Sequence, residues 1–174
     1  MKIKNGKLLM YDISEDYKKY LRRFDNRVSM KENRKFYGIL ITKDNYNYYI
    51  PFTSKIDKRT SSKLTVNVKD TNNIIISKLL LNNMIPVNEK DAIIVDIKNS
   101  EYKDYFNREI IYLRKEKVIK ELLRKVDNIF KVLDNPSNID YQFFKQLCCD
   151  FKKLEEKCIK YHIKNLKYPH FFVF

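Results

Sequence analysis

The stretch Phe36-Tyr37-Gly38-Ile39-Leu40-Ile41-Thr42, then Lys43-Asp44-Asn45, then Tyr46-Asn47-Tyr48-Tyr49-Ile50-Pro51-Phe52 decides the fold class. Two runs of branched and aromatic residues flank a short polar turn, the signature of a β-hairpin. Downstream, Lys63–Lys69 alternates cleanly, with Leu64, Val66 and Val68 on one face. The polar turn 70–73 leads to a strand over 74–81, the segment 81–87 runs into a loop, and 92–97 reads as a short buried strand. Strands linked by tight turns predict a mostly antiparallel sheet of about six strands.

Helices bracket this sheet. Ser14 followed by Glu15 and Asp16 places a capping hydroxyl and two acids at a helix start. Tyr17, Tyr20, Leu21 and Phe24 follow at helical spacing. After the sheet, Tyr105, Phe106, Ile110, Leu113, Ile119, Leu122, Leu123, Val126 and Phe130 recur at three- and four-residue steps, predicting one long helix over 102–133. The segment 134–140 breaks that pattern. A last helix is expected over 140–164, with Phe144, Leu147, Phe151, Leu154, Cys158 and Tyr161 buried. No linker, repeat or low-complexity tract divides the chain, so 1–174 reads as one α+β domain.

The charge balance points to a partner. The 174 residues carry 36 Lys+Arg against 22 Asp+Glu, a net +14. An AT-rich genome accounts for many lysines but not for the shortage of acids, so a polyanion, nucleic acid first, is the expected partner. No apolar run approaches membrane length, and the first 14 residues lack the organisation of a signal peptide. Three cysteines, two of them adjacent at Cys148 and Cys149, fit reduced thiols in the cytoplasm.

Several chemistries are disfavoured. With Gly6 and Gly38 the only glycines, a Gly-rich phosphate loop is excluded. Cys148, Cys149, Cys158 and His162 match no zinc-finger spacing, and such cysteines are ordinary helix-core residues. The acids are scattered and paired with lysines at helical spacing, which disfavours a two-metal nuclease centre. No cofactor is expected.

Lys, Arg, Ser, Thr and Tyr remain, and these suffice for RNA, whose 2′-hydroxyl can attack the adjacent phosphorus in line. The products are a 2′,3′-cyclic phosphate and a 5′-hydroxyl. The protein must place the sugar, manage two protons and neutralise the phosphorane. A hairpin brings Arg34-Lys35, entering its first strand, to the same sheet edge as Thr53-Ser54-Lys55, leaving its second. Tyr17 and its basic helix offer an opposite wall for base stacking. On its own, Thr-Ser-Lys beside a turn is more often plain turn chemistry. Phosphate contacts are expected from Lys2, Lys4, Lys35, Lys58, Arg59, Lys117 and Arg124; the basic face of the long helix reads as RNA contact or as a solvated flank. Asn82 and Asn83 read as backbone-satisfying amides or as base readers.

The segments "YGIL" (37–40), "PFTSK" (51–55), "LNNMIPV" (81–87) and "CCDFKKLEEKC" (148–158), with "DYKKYLRRFDNRV" (16–28), together resemble the ToxN/AbiQ family and cover most of the chain. These are toxins of type III toxin–antitoxin and abortive-infection phage-resistance systems. The resemblance implies a metal-independent endoribonuclease with a strongly twisted antiparallel sheet related to the MazF/Kid fold. It implies an antitoxin RNA of tandem repeats, cut by the toxin into pseudoknot units and closed with it into a ring-like assembly. Cellular and phage mRNAs are the implied substrates. By motif position it assigns function to Arg34, Thr53, Ser54 and Tyr17. Family members often carry a lysine three residues after the first hydroxyl; here Lys55 and Lys58 flank that place, and Lys55 adjoins Ser54. The competing readings are a non-catalytic RNA-binding protein and, more weakly, a membrane-surface protein.

Overall fold

The computed structural model describes residues 2–3, 9–31, 33–43, 46–56 and 60–167. The strands are β1 (Lys2–Ile3), β2 (Leu9–Ile13), β3 (Phe36–Lys43), β4 (Tyr46–Thr53), β5 (Thr65–Lys69), β6 (Ile75–Leu80), β7 (Ile85–Pro86) and β8 (Ala92–Ile94). They form one antiparallel sheet ordered β5-β6-β4-β3-β2-β8, with β1 also on β3 and β7 also on β4. The expected hairpins are present as β3–β4 and β5–β6. The second closes through Asp70, whose Oδ1 accepts from the Asn72 and Ile74 amides, while Asn73 takes the left-handed φ of 64° that Asn tolerates.

The helices are α1 (Glu15–Arg22), α2 (Lys103–Leu113), α3 (Glu116–Leu133), α4 (Tyr141–Leu147) and α5 (Phe151–Lys167). Ser14 caps α1 as expected, its Oγ accepting from the Tyr17 amide. The helix expected over 102–133 is two helices: Lys115 is extended (ψ 129°) between α2 and α3, although neither Gly nor Pro stands there. The C-terminal helix is also two. Between α4 and α5 the Cys149 amide donates to the Asn82 carbonyl (2.8 Å) and the Asp150 amide to Asp25 Oδ2 (2.6 Å). Tertiary acceptors thus replace the intrahelical ones, and Leu147, expected on the buried stripe, is 40% exposed. The strand over 92–97 ends at Ile94 and is not buried: it is a sheet edge paired with β2, and Ile93 and Ile94 are exposed.

The core explains the abundance of tyrosine. Tyr17, Tyr37, Tyr48 and Tyr49 are among the largest fully buried side chains. A buried phenol needs a partner for its hydroxyl. Tyr17 donates to the Pro86 carbonyl at 2.7 Å, Tyr37 to the Leu113 carbonyl at 3.4 Å, and Tyr48 to the Glu155 carboxylate. Each bond ties the sheet or α1 to an element distant in sequence. Gly38 lies where the β3–β4 register shifts, under the edge of Tyr11; a Cβ there would stand 2.2 Å from Tyr11 Cε2.

Candidate active site

The β3–β4 pairing sets the site. Phe36 lies opposite Pro51, and the Phe52 amide donates to the Lys35 carbonyl at 3.0 Å. Residues two before Phe36 and two after Pro51 therefore meet at one sheet edge. Arg34, Phe52, Thr53 and Ser54 line one cavity of about 150 Å³ there. Asn33 precedes Arg34 in the left-handed region (φ 53°), turning the chain as it enters the site. The cavity opens into a cleft of about 660 Å³ reaching Val95, Ser100 and Tyr102. Lys31, Asn33, Lys35, Ser54, Tyr105 and Phe106 line both.

Arg34 is the notable group. Its Nε is buried and meets no hydrogen-bond partner among the described residues, and burial lowers its pKa while leaving the guanidinium charged. A buried N–H without an acceptor is costly, and a phosphate oxygen would satisfy it. Ser54 is exposed beside it. Thr53 is nearly buried, and its Oγ1 accepts from the Lys55 amide at 3.2 Å, the turn geometry that local chemistry predicts. That bond uses the oxygen as acceptor and leaves the O–H to donate, so turn and phosphate roles are compatible. Lys55 is exposed next to Ser54, and among the described residues its ammonium meets no carboxylate. Lys35 reaches the mouth of the site, where its ammonium bridges both Asp12 carboxylate oxygens at 2.8 Å.

The opposite wall is not the one expected. Tyr17 is fully buried, edge-on to Tyr161 and stacked near His162, so its ring presents no face to a base. The wall is α2 with the residue that precedes it: Tyr102, then Tyr105 and Phe106. Tyr102 is 62% exposed and tilts on Phe106, and Tyr105 is anchored by its hydroxyl to the Ile76 carbonyl at 3.0 Å. Glu109, one turn further along α2, also lines the cavity and is 1% exposed. Burial raises its pKa to about 7, against the opposing pull of the Ser77 and Tyr105 hydroxyls and the Arg108 charge. Sequence reasoning missed these four residues. The available signal was a carboxylate on the apolar stripe, at Glu109 between Phe106 and Leu113.

The other expected contacts are dispersed. Asn82 and Asn83 form a single 3₁₀ turn and donate their amides to the Leu147 and Arg27 carbonyls at 3.0 and 2.9 Å, binding the chain after α1 and α4 to the sheet. Lys117 and Arg124 are exposed, seven residues apart on one side of α3. Of Lys2 only the backbone, on β1, is described; Lys4, Lys58 and Arg59 lie outside the described residues.

Comparison with known proteins follows the same lines. Residues 9–159 match the family model described as toxin ToxN of type III toxin–antitoxin systems. The chain is 33% identical over 163 residues to the endoribonuclease ToxN of Bacillus thuringiensis subsp. kurstaki, covering 87% of this chain and 82% of that one. It is 27% identical to the endoribonuclease ToxN of Pectobacterium atrosepticum, covering 84% and 90%. A solved type III toxin, described as selectively inhibited by a non-coding RNA pseudoknot, superposes with a TM-score of 0.80 at 31% identity, over 88% of this chain and 96% of that one. The lactococcal anti-phage endoribonuclease AbiQ shares the fold, with a TM-score of 0.75 at 24% identity, over 90% of this chain and 99% of that one.

Proposed function

The chain belongs to the ToxN family of type III toxin–antitoxin toxins, and on that footing we propose that it is an endoribonuclease acting by 2′-hydroxyl attack at the Arg34–Thr53–Ser54 cavity. The carrying observation is the buried, unpartnered Arg34 Nε in the same cavity as two hydroxyls, with an aromatic wall facing them. A nucleotide stacks on Tyr102 or Tyr105, which splays its base and turns its 2′-oxygen in line with the phosphorus. The O2′–P bond forms as the P–O5′ bond breaks. One proton leaves O2′ and one reaches O5′, giving the cyclic phosphate and a 5′-hydroxyl. Arg34 and Lys55 stabilise the charge gathered on the phosphorane oxygens, and the Thr53 and Ser54 hydroxyls donate to them. None of these roles requires a metal.

The family also supplies the regulation. An RNA antitoxin of tandem repeats, processed by the toxin to pseudoknots, would occupy the same cleft in a ring-like complex. Release of the toxin in the cytoplasm would expose cellular and phage mRNA, which is the logic of phage abortive infection. Labelled RNA incubated with pure protein and excess EDTA tests the enzymatic reading. Cyclic-phosphate ends are expected. A band shift without cleavage, or cleavage only after Mg²⁺ is added, would overturn it.

A further inference from the structure

A second polar cavity lies on the sheet beside the catalytic edge. The register sets Thr53 of β4 opposite Lys78 of β6, and Lys78 opposite Asn67 of β5. Directly opposed residues share a sheet face, and neighbouring strands stand about 4.8 Å apart. Lys78 is thus the immediate lateral neighbour of Thr53, and Asn67 the next. Above this row lies a cavity of about 310 Å³, walled by Thr60 and Ser62 on one side and by Tyr112, Glu121 and Lys125 from the helices on the other.

Its chemistry is that of an anion site. Lys78 is 6% exposed, and its Nζ is held by Thr60 Oγ1 at 2.7 Å. Lys125 is held by the Thr65 carbonyl at 2.8 Å and by Glu121 at 2.7 Å. Lys69, at the rim, reaches Asn73 Oδ1 at 3.0 Å. The described lining carries three ammonium groups, on Lys69, Lys78 and Lys125, and one carboxylate, on Glu121. The ammonium groups are held by oxygens and so are preorganised point charges, and burying that of Lys78 in the sheet costs desolvation that an incoming anion offsets. Arg124 and Lys117 continue the same flank of α3 outward from Glu121.

We propose that this cavity holds an RNA backbone phosphate flanking the scissile one, so that the strand crosses from the Arg34–Ser54 cavity over β4 and β6 toward α3. The proposal rests on the endoribonuclease reading above. It assigns Lys69, Lys78 and Lys125, rather than the cations expected from sequence, to the first contact beyond the cleavage point.

The probe is a mixed-sequence 12-mer RNA, 2′-O-methylated throughout so that it cannot be cut. Its affinity is measured against salt for the full chain and for Lys69→Ala, Lys78→Gln and the control Lys131→Ala, an exposed residue paired with Asp127 elsewhere on α3. Losing one phosphate contact on a single strand lowers the salt slope by about 0.7, which weakens binding about fivefold at 0.1 M salt. That loss is expected for Lys69→Ala and Lys78→Gln and not for Lys131→Ala. Equal behaviour of all three variants would overturn the subsite. Should Lys78→Gln fail to fold by circular dichroism, Lys69→Ala decides alone. Inorganic phosphate is titrated separately: a Lys78-dependent phosphate site together with RNA binding indifferent to Lys69 and Lys78 would mark a small-anion site and also overturn the proposal. Cleavage of unmodified RNA is scored on the same wild-type preparation. Intact cleavage with unaffected variants removes only the subsite, whereas absent cleavage removes the endoribonuclease reading.

Discussion

Glu109→Gln should make the protein more stable, and increasingly so as pH rises. In the folded chain burial holds the Glu109 carboxyl near 7, against 4.5 for an ordinary glutamate. Between those values the native state keeps a proton that the unfolded chain releases, so ionisation favours unfolding. Stability is unaffected below the unfolded value. It falls as pH climbs from about 4.5 to 7 and then levels off. At 1.36 kcal/mol per pH unit the full loss is ~3 kcal/mol, of which ~2 kcal/mol falls between pH 5.5 and 8. Gln has nearly the same shape and cannot ionise, so its variant escapes that loss. The groups facing Glu109 are Ser77 on β6 and Tyr105 and Arg108 on α2, all unchanged by the substitution. Other titrations, such as that of the buried His162, are common to both proteins and cancel in the difference. Urea unfolding followed by circular dichroism at pH 5.5 and 8 gives the stability gap at each pH. A gap widening by about 2 kcal/mol, or roughly 4–8 °C in thermal midpoint for a chain of this size, is expected. A gap equal at both pH values would show that Glu109 is not held protonated by burial.

Ser54→Ala should leave stability within about 0.5 kcal/mol and reduce RNA cleavage on the order of 10²-fold or more, read by single-turnover kinetics; wild-type rates would return Thr53-Ser54 to turn chemistry. Arg34→Ala should lower the rate by a larger factor than the affinity for 2′-deoxy-blocked RNA, and equal losses would make it a phosphate clamp only. Tyr17→Phe removes a buried 2.7 Å bond to Pro86, so about 1 kcal/mol of stability should go while cleavage per folded molecule holds; a selective loss of cleavage would restore Tyr17 to the site. Gly38→Ala should cost about 1–3 kcal/mol, because the Tyr11 ring must move away from the new methyl, and an unchanged urea midpoint would contradict that packing. Asp25 is nearly buried. Burial opposes its charge, yet bonds from the Arg27 side chain and the Asp150 and Arg27 amides hold its pKa below normal. Asp25→Ala should therefore cost about 2–3 kcal/mol at neutral pH, with the difference from wild type shrinking as pH falls below about 4.

What was readable in sequence was local. The β3–β4 hairpin, the Ser14 cap and the alternation of β5 depend on neighbours a few residues apart, so pattern and turn chemistry sufficed. The same hairpin made half of the site legible, because antiparallel return obliges Arg34 and Thr53-Ser54 to share an edge. The other half was decided by contacts distant in sequence. Strand β2 carries no alternating signature in "LMYDI" and exists by pairing with β3 and β8. The break between α4 and α5 follows from Asn82 and Asp25 capturing two amides, which no helical periodicity records. Tyr17 has the spacing of a helix face, but spacing does not say which layer that face meets, and here it meets Pro86 and α5. The facing wall came instead from α2, some fifty residues beyond the hairpin, where Tyr102, Tyr105 and Glu109 looked like ordinary members of an amphipathic helix. Only the packing of α2 against β5 and β6 turns them toward Ser54, because a helix position acquires chemistry from what it faces.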